Sequence, residues 1–276
     1  MDEKLKERLR LLRHIALDMD GTIYLGSQLF DCTLPFLKTL DDLGITFSFL
    51  TNNPTRSLED YIGKLHRLGV PCRSDQMYST ATASIEYILS HHPSVSRLFV
   101  LGTPSMQRQF RDAGFILTQD SADDVPQMVV LAFDTTLTYS RLCRLCWWVS
   151  KGLPYIATNP DWVCPTDEPT ILVDCGSLME CVRGATGRRP DLVIGKPNPA
   201  ILETILEKKG LKPCEAAMVG DRLYTDVDTA LRAGSMGILT LSGESTMETV
   251  RNSKITPSLI VRDVGELRDL LFEAFS

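Results

Sequence analysis

The chain has no apolar run that approaches the roughly 18 residues of a membrane-spanning helix, no low-complexity tract and no short internal repeat. These absences exclude a helical membrane protein, a fibrous protein and a disordered chain. Positive charge is also scarce: 29 Lys+Arg stand against 35 Asp+Glu, a net charge of −6, with no long basic run. That balance argues against duplex nucleic acid, which demands many phosphate contacts. A small anionic ligand remains admissible if a metal, a lysine or a helix N-terminus reverses the field locally. The four histidines, His14, His66, His91 and His92, lack partners at catalytic or metal spacing and read as strand-edge or helix-surface residues. The eight cysteines are scattered, need no disulfide framework and read as small buried hydrophobes. Cys143-x-x-Cys146 lies in a helical pattern with no second pair at zinc spacing. The opening MDEKLKERLRLLRH is charged throughout, without the apolar stretch of a signal peptide, so a cytoplasmic protein is expected, with no membrane partner.

What is present is ample apolar material, 43% of 276 residues, enough for two domains. Short apolar strands alternate with amphipathic helices. His14 to Leu17 reads as a buried strand running into DMDGTIY, and Leu34, Leu37, Leu40 and Leu43 mark a helix closed by Gly44. Thr46 to Leu50 is a second strand emptying into TNNPT; Ser57 and Asp60 then open a helix that Gly69 closes. Near the C-terminus, Asn198 and Pro199 introduce a helix ending at Gly210. Strands follow at Ala216 to Val219, which empties into GDRLYTDVD and a helix closed by Gly234, and at Gly237 to Leu241 and Leu259 to Val261, with a last helix from about 264. This alternation predicts an α/β fold: a three-layer, Rossmann-like parallel-sheet core, with all strand C-termini on one edge. Residues 81–188 carry their own alternation, with strands at Arg97 to Leu101, Met128 to Phe133 and Tyr155 to Ala157. They read as an inserted α/β domain between core segments 1–80 and 189–276.

The polar residues just after the buried strands of the outer segments are Asp18 and Asp20, Thr51 and Asn52, Lys196, and Asp221 with Asp226. All can converge on the ligand-binding edge of the sheet. Carboxylates gathered there repel one another unless a cation such as Mg²⁺ sits among them, and Mg²⁺ prefers few carboxylates completed by water and substrate phosphate. A carboxylate nucleophile must stay ionised, and one positive charge about 4 Å away is worth ~4 kcal/mol at an effective dielectric of 20, or ~3 pKa units. Lys196 with Mg²⁺ supplies that charge. Asp20, two residues beyond Asp18, suits a general acid that later activates water, and Thr51 with nearby N–H groups suits transferring phosphoryl oxygens. Gly195-Lys196 is not a P-loop, since no preceding glycine lies at the required spacing.

Asp18-Met-Asp20-Gly-Thr, Thr51-Asn52-Asn53, Gly195-Lys196-Pro197 and Gly220-Asp221-(x)4-Asp226 together resemble, in order, the four motifs of the haloacid dehalogenase superfamily, in its NagD-like or 4-nitrophenylphosphatase branch. Asn159-Pro160-Asp161 in the insertion is similar to that branch's large α/β cap. The resemblance implies a phosphatase in which Asp18 forms an aspartyl-phosphate and Asp20 protonates the leaving alcohol. It implies that Asp18, the Asp20 backbone carbonyl and Asp221 bind Mg²⁺, with Asp226 acting from behind them. Thr51, Asn52 and Lys196 would hold phosphate, Asn159 and Asp161 would touch the substrate, and the cap would supply a homodimer interface. The expected partner is a small phosphorylated metabolite. A phosphoryl transferase or mutase is the enzyme rival; a phosphoacceptor signalling domain, whose acceptor normally follows a later strand than the first, and a binding scaffold without turnover are the non-enzyme rivals.

Overall fold

The computed structural model describes residues 2–164 and 169–276. In chain order the strands begin with β1 (His14–Leu17), β2 (Tyr24–Leu25), β3 (Gln28–Leu29), β4 (Thr46–Thr51) and β5 (Met77–Ser79). They continue with β6 (Arg97–Leu101), β7 (Ile116–Leu117), β8 (Met128–Leu131), β9 (Tyr155–Ala157), β10 (Val163–Cys164), β11 (Leu172–Val173) and β12 (Leu192–Val193). The last are β13 (Ala216–Gly220), β14 (Met236–Thr240) and β15 (Leu259–Val261). Contacts divide the chain into two units, Met1–Leu50 with Ile62–Met77 and Lys196–Ser276, and Thr51–Tyr61 with Tyr78–Gly195. The expected insertion, 81–188, lies inside the longer segment of the second unit. No helix among the described residues is long and apolar enough to cross a membrane.

In the first unit the main sheet has the order β15-β14-β13-β1-β4-β5. β1 pairs in parallel with β13 on one side and β4 on the other, Leu17 standing opposite Val219 and Phe49. Every residue of β1, β13 and β14 is buried, which is why these strands read as largely apolar and not as alternating. The chain runs outward from β1 through β4 and returns on β1's other side through β13. The strand order thus reverses at β1, and the C-terminal ends of β1 and β13 flank the crevice where parallel sheets bind ligands.

Two local expectations are corrected here. His14 is not at a sheet edge: it is fully buried in the central strand, its ring within hydrogen-bonding distance of Thr46 Oγ1 (2.8 Å) and Ser48 Oγ (3.0 Å) on β4. Burial pushes its pKa down to about 3, with Lys209 adding to the effect, so the ring is neutral. The helix after β13 is not regular from the start. Leu223–Val227 is a π-helical turn in which the Val227 N–H reaches Arg222 O at 3.3 Å, and it leads into the helix Asp228–Arg232. The charged N-terminal helix Glu3–Arg10 gains a structural role: Leu9 is fully buried, and Arg10 Nε donates to Ala274 O at 2.6 Å on the last helix, Val264–Phe275.

The second unit has a five-stranded parallel sheet, β12-β9-β8-β6-β7. Period-two alternation sorts its side chains. Phe99, Leu101, Val129 and Leu131 pack with Leu145, Trp148, Val149, Leu178 and Val182, from the helices Tyr139–Ser150 and Cys175–Thr186. Leu98, Val100, Met128 and Val130 pack on the other face with Ala81, Ile88, Met106 and Phe110, from the helices Thr80–His91 and Pro104–Asp112. Both faces are covered, so each large side chain contributes its ~1.5–3 kcal/mol of burial. The cysteine expectation is also corrected: Cys72 and Cys175 are buried, whereas Cys143, Cys181 and Cys214 are exposed. Helices here need only one apolar stripe, and a cysteine can fall outside it.

Candidate active site

Asp18 is the first residue after β1, and its N–H continues the ladder by donating to Val219 O at 2.9 Å. Asp221 is the first residue after β13, so the parallel register delivers both carboxylates to the same edge. The π-turn brings in the third, since the extra residue in the turn places Asp226 inward, fully buried. One oxygen from each of Asp18, Asp221 and Asp226 lies within 4.8 Å of the others. Asp20 is exposed and outside this group, in a tight loop where Gly21 adopts φ +85° and donates its N–H to Tyr24 O at 2.7 Å.

Lys196 Nζ stands in the middle. It donates to Asp18 Oδ1 at 2.5 Å, to Asp226 Oδ1 at 2.6 Å and to Leu50 O at 3.4 Å. The side chains of Lys196 and Asp226 are 3% and 1% exposed, while Asp18 keeps 15%. Of the two carboxylates that the lysine holds, Asp18 is the one left partly accessible. The helix behind Lys196 runs Ala200–Lys209, with Asn198 Oδ1 accepting from the Ala200 N–H at 3.0 Å.

Glycines make room for these carboxylates. A side chain at Gly220 would overlap the Asp226 carboxyl group, and one at Gly21 or Gly243 would overlap that of Asp221. Asp226 Oδ2 accepts from the Arg222 N–H at 3.0 Å, and Asp221 Oδ2 accepts from the Glu244 N–H at 2.7 Å.

The electrostatics call for further positive charge. Burial pushes Asp18 up to about 8; Lys196 opposes this, and Asp226 and Asp221 reinforce it. Burial and the neighbouring Asp226 likewise raise Asp221 to about 6. Lys196 is depressed by its own burial, but Asp18 and Asp226 outweigh that and hold it above the ordinary lysine range, firmly protonated. One lysine therefore does not overcome the desolvation of the nucleophile candidate. The oxygens of Asp18, Asp221 and Asp226, the last two in cradles that glycines leave free of Cβ atoms, form an all-oxygen donor set that fits a hard divalent cation such as Mg²⁺.

The remaining expected site residues lie in the second unit and form a separate polar network. Thr51 and Asn52 are each 8% exposed. Thr51 Oγ1 accepts from the Asn53 N–H at 3.1 Å, and Asn52 Nδ2 donates to Asp161 Oδ2 at 3.0 Å. Asn159, expected at the substrate, is instead fully buried. Its Nδ2 donates to Asp161 Oδ2 (3.3 Å) and Asp174 Oδ1 (2.9 Å), and its Oδ1 accepts from Thr158 Oγ1 (2.8 Å). With its amide so occupied, Asn159 acts as an internal strut that orients Asp161, and through it Asn52. Sequence reasoning missed Asp174, Gly243 and Glu244. Gly243, three residues past β14, is the one turn signal in that loop, and nothing in the sequence marks Glu244 or Asp174.

Comparison with known proteins agrees with this geometry. A family model described as haloacid dehalogenase-like hydrolase matches residues 15–116, and a second, HAD-hydrolase-like, matches residues 193–267. An acid sugar phosphatase of Staphylococcus aureus is 32% identical over 250 residues, covering 91% of this chain and 94% of that protein. The crystal structure of a 4-nitrophenylphosphatase from Thermotoga maritima is similar with a TM-score of 0.89 at 40% identity, covering 95% of this chain and 98% of that one. NagD from E. coli gives a TM-score of 0.82 at 26% identity, over 92% and 98% of the two chains.

Proposed function

Because the chain belongs to the haloacid dehalogenase-like hydrolases, we propose that it hydrolyses phosphate monoesters of small metabolites through an aspartyl-phosphate at Asp18. The observation that carries this reading is the arrangement around Lys196: an ammonium bound to two carboxylates, of which Asp226 is sealed and Asp18 is open. Asp226 is sealed away, and Asp18, 15% exposed, is the carboxylate that an ester would reach. Asp18, Asp221 and the Asp20 backbone carbonyl would hold Mg²⁺, with Asp226 behind them. The ion would supply positive charge that keeps Asp18 ionised and offsets the phosphoryl oxygens.

An oxygen of Asp18 attacks phosphorus, the bond from phosphorus to the ester oxygen breaks, and its electron pair departs with the alcohol. Asp20, exposed two residues along, gives that oxygen a proton. Asp20 then takes a proton from water as the water oxygen attacks phosphorus. The Asp18–phosphorus bond breaks, and inorganic phosphate leaves with the Asp18 carboxylate restored. Lys196, fixed by its two carboxylates, neutralises charge that grows on the transferring group.

The relatives named for acid sugar phosphatase and 4-nitrophenylphosphatase activity support small phosphate esters as the substrate class, with sugar phosphates foremost. The test is phosphate release from 4-nitrophenyl phosphate and a panel of sugar phosphates, with Mg²⁺ or with EDTA. Turnover that EDTA removes is expected; no release from any ester in Mg²⁺ overturns the reading.

A further inference from the structure

The loop after β14 touches the site at three points. Ser242 Oγ donates to Gly21 O at 2.7 Å, in the loop that carries Asp18 and Asp20. The Glu244 N–H donates to Asp221 Oδ2 at 2.7 Å, and the Ser245 N–H donates to Asp221 O at 3.1 Å. The loop therefore fixes the rotation of the Asp221 carboxylate, and Gly243 allows it to lie that close. Something must in turn fix the loop. Glu244 Oε2 accepts from Arg222 Nε at 2.8 Å, and Glu244 Oε1 accepts from Tyr224 Oη at 3.0 Å. Arg222 immediately precedes the π-turn and Tyr224 lies in it, and the Arg222 N–H also binds Asp226 Oδ2. A single glutamate thus has its backbone on one of the three carboxylates and its side chain on the turn that carries another.

We propose that Glu244 is a positioning residue that latches the loop to the π-turn and so holds Asp221 in its metal-binding orientation; this rests on the phosphatase reading above. The latch is not needed to hold the fold together. The Glu244 side chain is 47% exposed, and an ion pair that open to solvent contributes little to stability. Outer partners of metal-binding carboxylates nevertheless set metal affinity, and their loss typically weakens it by ~10–100-fold. Unlatching should therefore separate two quantities that a merely structural residue moves together.

The experiment is a calorimetric titration of the full-length protein with Mg²⁺, in the absence of any substrate, alongside thermal unfolding of the same metal-free samples. Glu244→Ala and Arg222→Ala are each expected to weaken Mg²⁺ binding about tenfold, with metal-free unfolding temperatures close to wild type. Glu244→Gln retains an acceptor for Tyr224 or Arg222 and is expected to recover most of the affinity. The double variant Glu244→Ala/Arg222→Ala should be no weaker than either single one, because both remove the same latch. Wild-type affinity in Glu244→Ala, or a weakening that merely follows a fall in unfolding temperature, overturns the latch alone. Wild-type protein that takes up no Mg²⁺ overturns the metal reading of the site along with it.

Discussion

Lys196 Nζ lies 2.5 Å from Asp18 Oδ1 although 178 residues separate them in the chain. The same ammonium reaches Asp226 Oδ1 at 2.6 Å, across 30 residues in the other direction. The sheet explains why the carboxylates meet: β1 and β13 are hydrogen-bonded neighbours, so Asp18 and Asp221, just beyond their C-terminal ends, share one edge however far apart they lie in sequence. Charge then explains why the lysine stays, because two carboxylates in a desolvated crevice need a counter-charge.

Removing that counter-charge should be costly. Lys196→Met leaves Asp226 buried and unpaired, and breaking a buried pair from one side costs about 3–5 kcal/mol. Urea unfolding should show a loss of about that size, and Mg²⁺ should return part of it by binding the folded state. A variant as stable as wild type would show that the pair is not a structural element.

Metal affinity should rise with pH. Without a cation, Asp18 titrates at about 8 and Asp221 at about 6, both raised by burial, and a bound Mg²⁺ requires both to be ionised. Below pH 6 each carboxylate must release a proton, between 6 and 8 only Asp18 must, and above 8 neither does. The Mg²⁺ dissociation constant should therefore fall as pH climbs to about 8 and level off beyond it. The same raised carboxylates make the metal-free fold lose stability as pH rises from 3.8 toward 8, because the folded state is then the better proton binder. Calorimetric titrations at pH 5.5, 7 and 8.5 (roughly one point in each regime) check the first trend, and a pH-independent affinity would contradict it.

In the second unit, Asn159→Ala should act through its two acidic neighbours. Asp161 and Asp174 lose the amide that bridges them in a fully buried setting. Leaving buried groups short of a hydrogen bond costs about 1–3 kcal/mol each, so unfolding in urea should shift by at least the lower figure. An unshifted curve, with substrate affinity reduced instead, would return Asn159 to the substrate contact that its sequence suggested.

His14 sets a different pH signature. Its folded pKa of about 3 lies below the unfolded value of 6.5, so between these limits the unfolded chain takes up a proton that the folded one refuses. Stability should fall as pH drops from 6.5 toward 3, by about tenfold in the folding constant per pH unit. His14→Gln keeps hydrogen-bonding capacity for Thr46 and Ser48 but does not titrate. Its folding constant relative to wild type should therefore rise as acid is added, and parallel curves in acid would contradict the assignment.

Much of this arrangement is legible in the amino-acid sequence. β1, β13 and β14 stand out because strands buried on both faces are largely apolar, and the polar residues Asp18, Thr51, Lys196, Asp221 and Asp226 keep the order of a known family. Other features were hidden for physical reasons. The π-turn at Leu223–Val227 has the composition of any amphipathic helix start, since its extra residue is a matter of backbone register. The partners of His14 sit on β4, more than thirty residues away (separations of 32 and 34), so one polar residue in an apolar strand looked like an edge. The helix Thr80–His91 has Thr80 and Ser84 mixed into its buried face, which blurs its periodicity. Glu244 is a half-exposed acid in a loop, and only its contacts distinguish it from its neighbours.

The most direct test of the account is the rate of phosphate release from 4-nitrophenyl phosphate by Asp18→Asn, at saturating Mg²⁺ and with folding verified. Loss of a nucleophile should lower turnover by on the order of 10⁴-fold or more, while the fold, whose sheet does not depend on the Asp18 carboxylate, persists. An Asp18→Asn protein that hydrolyses the ester at the wild-type rate would contradict the claim that this carboxylate, held by Lys196, carries the chemistry.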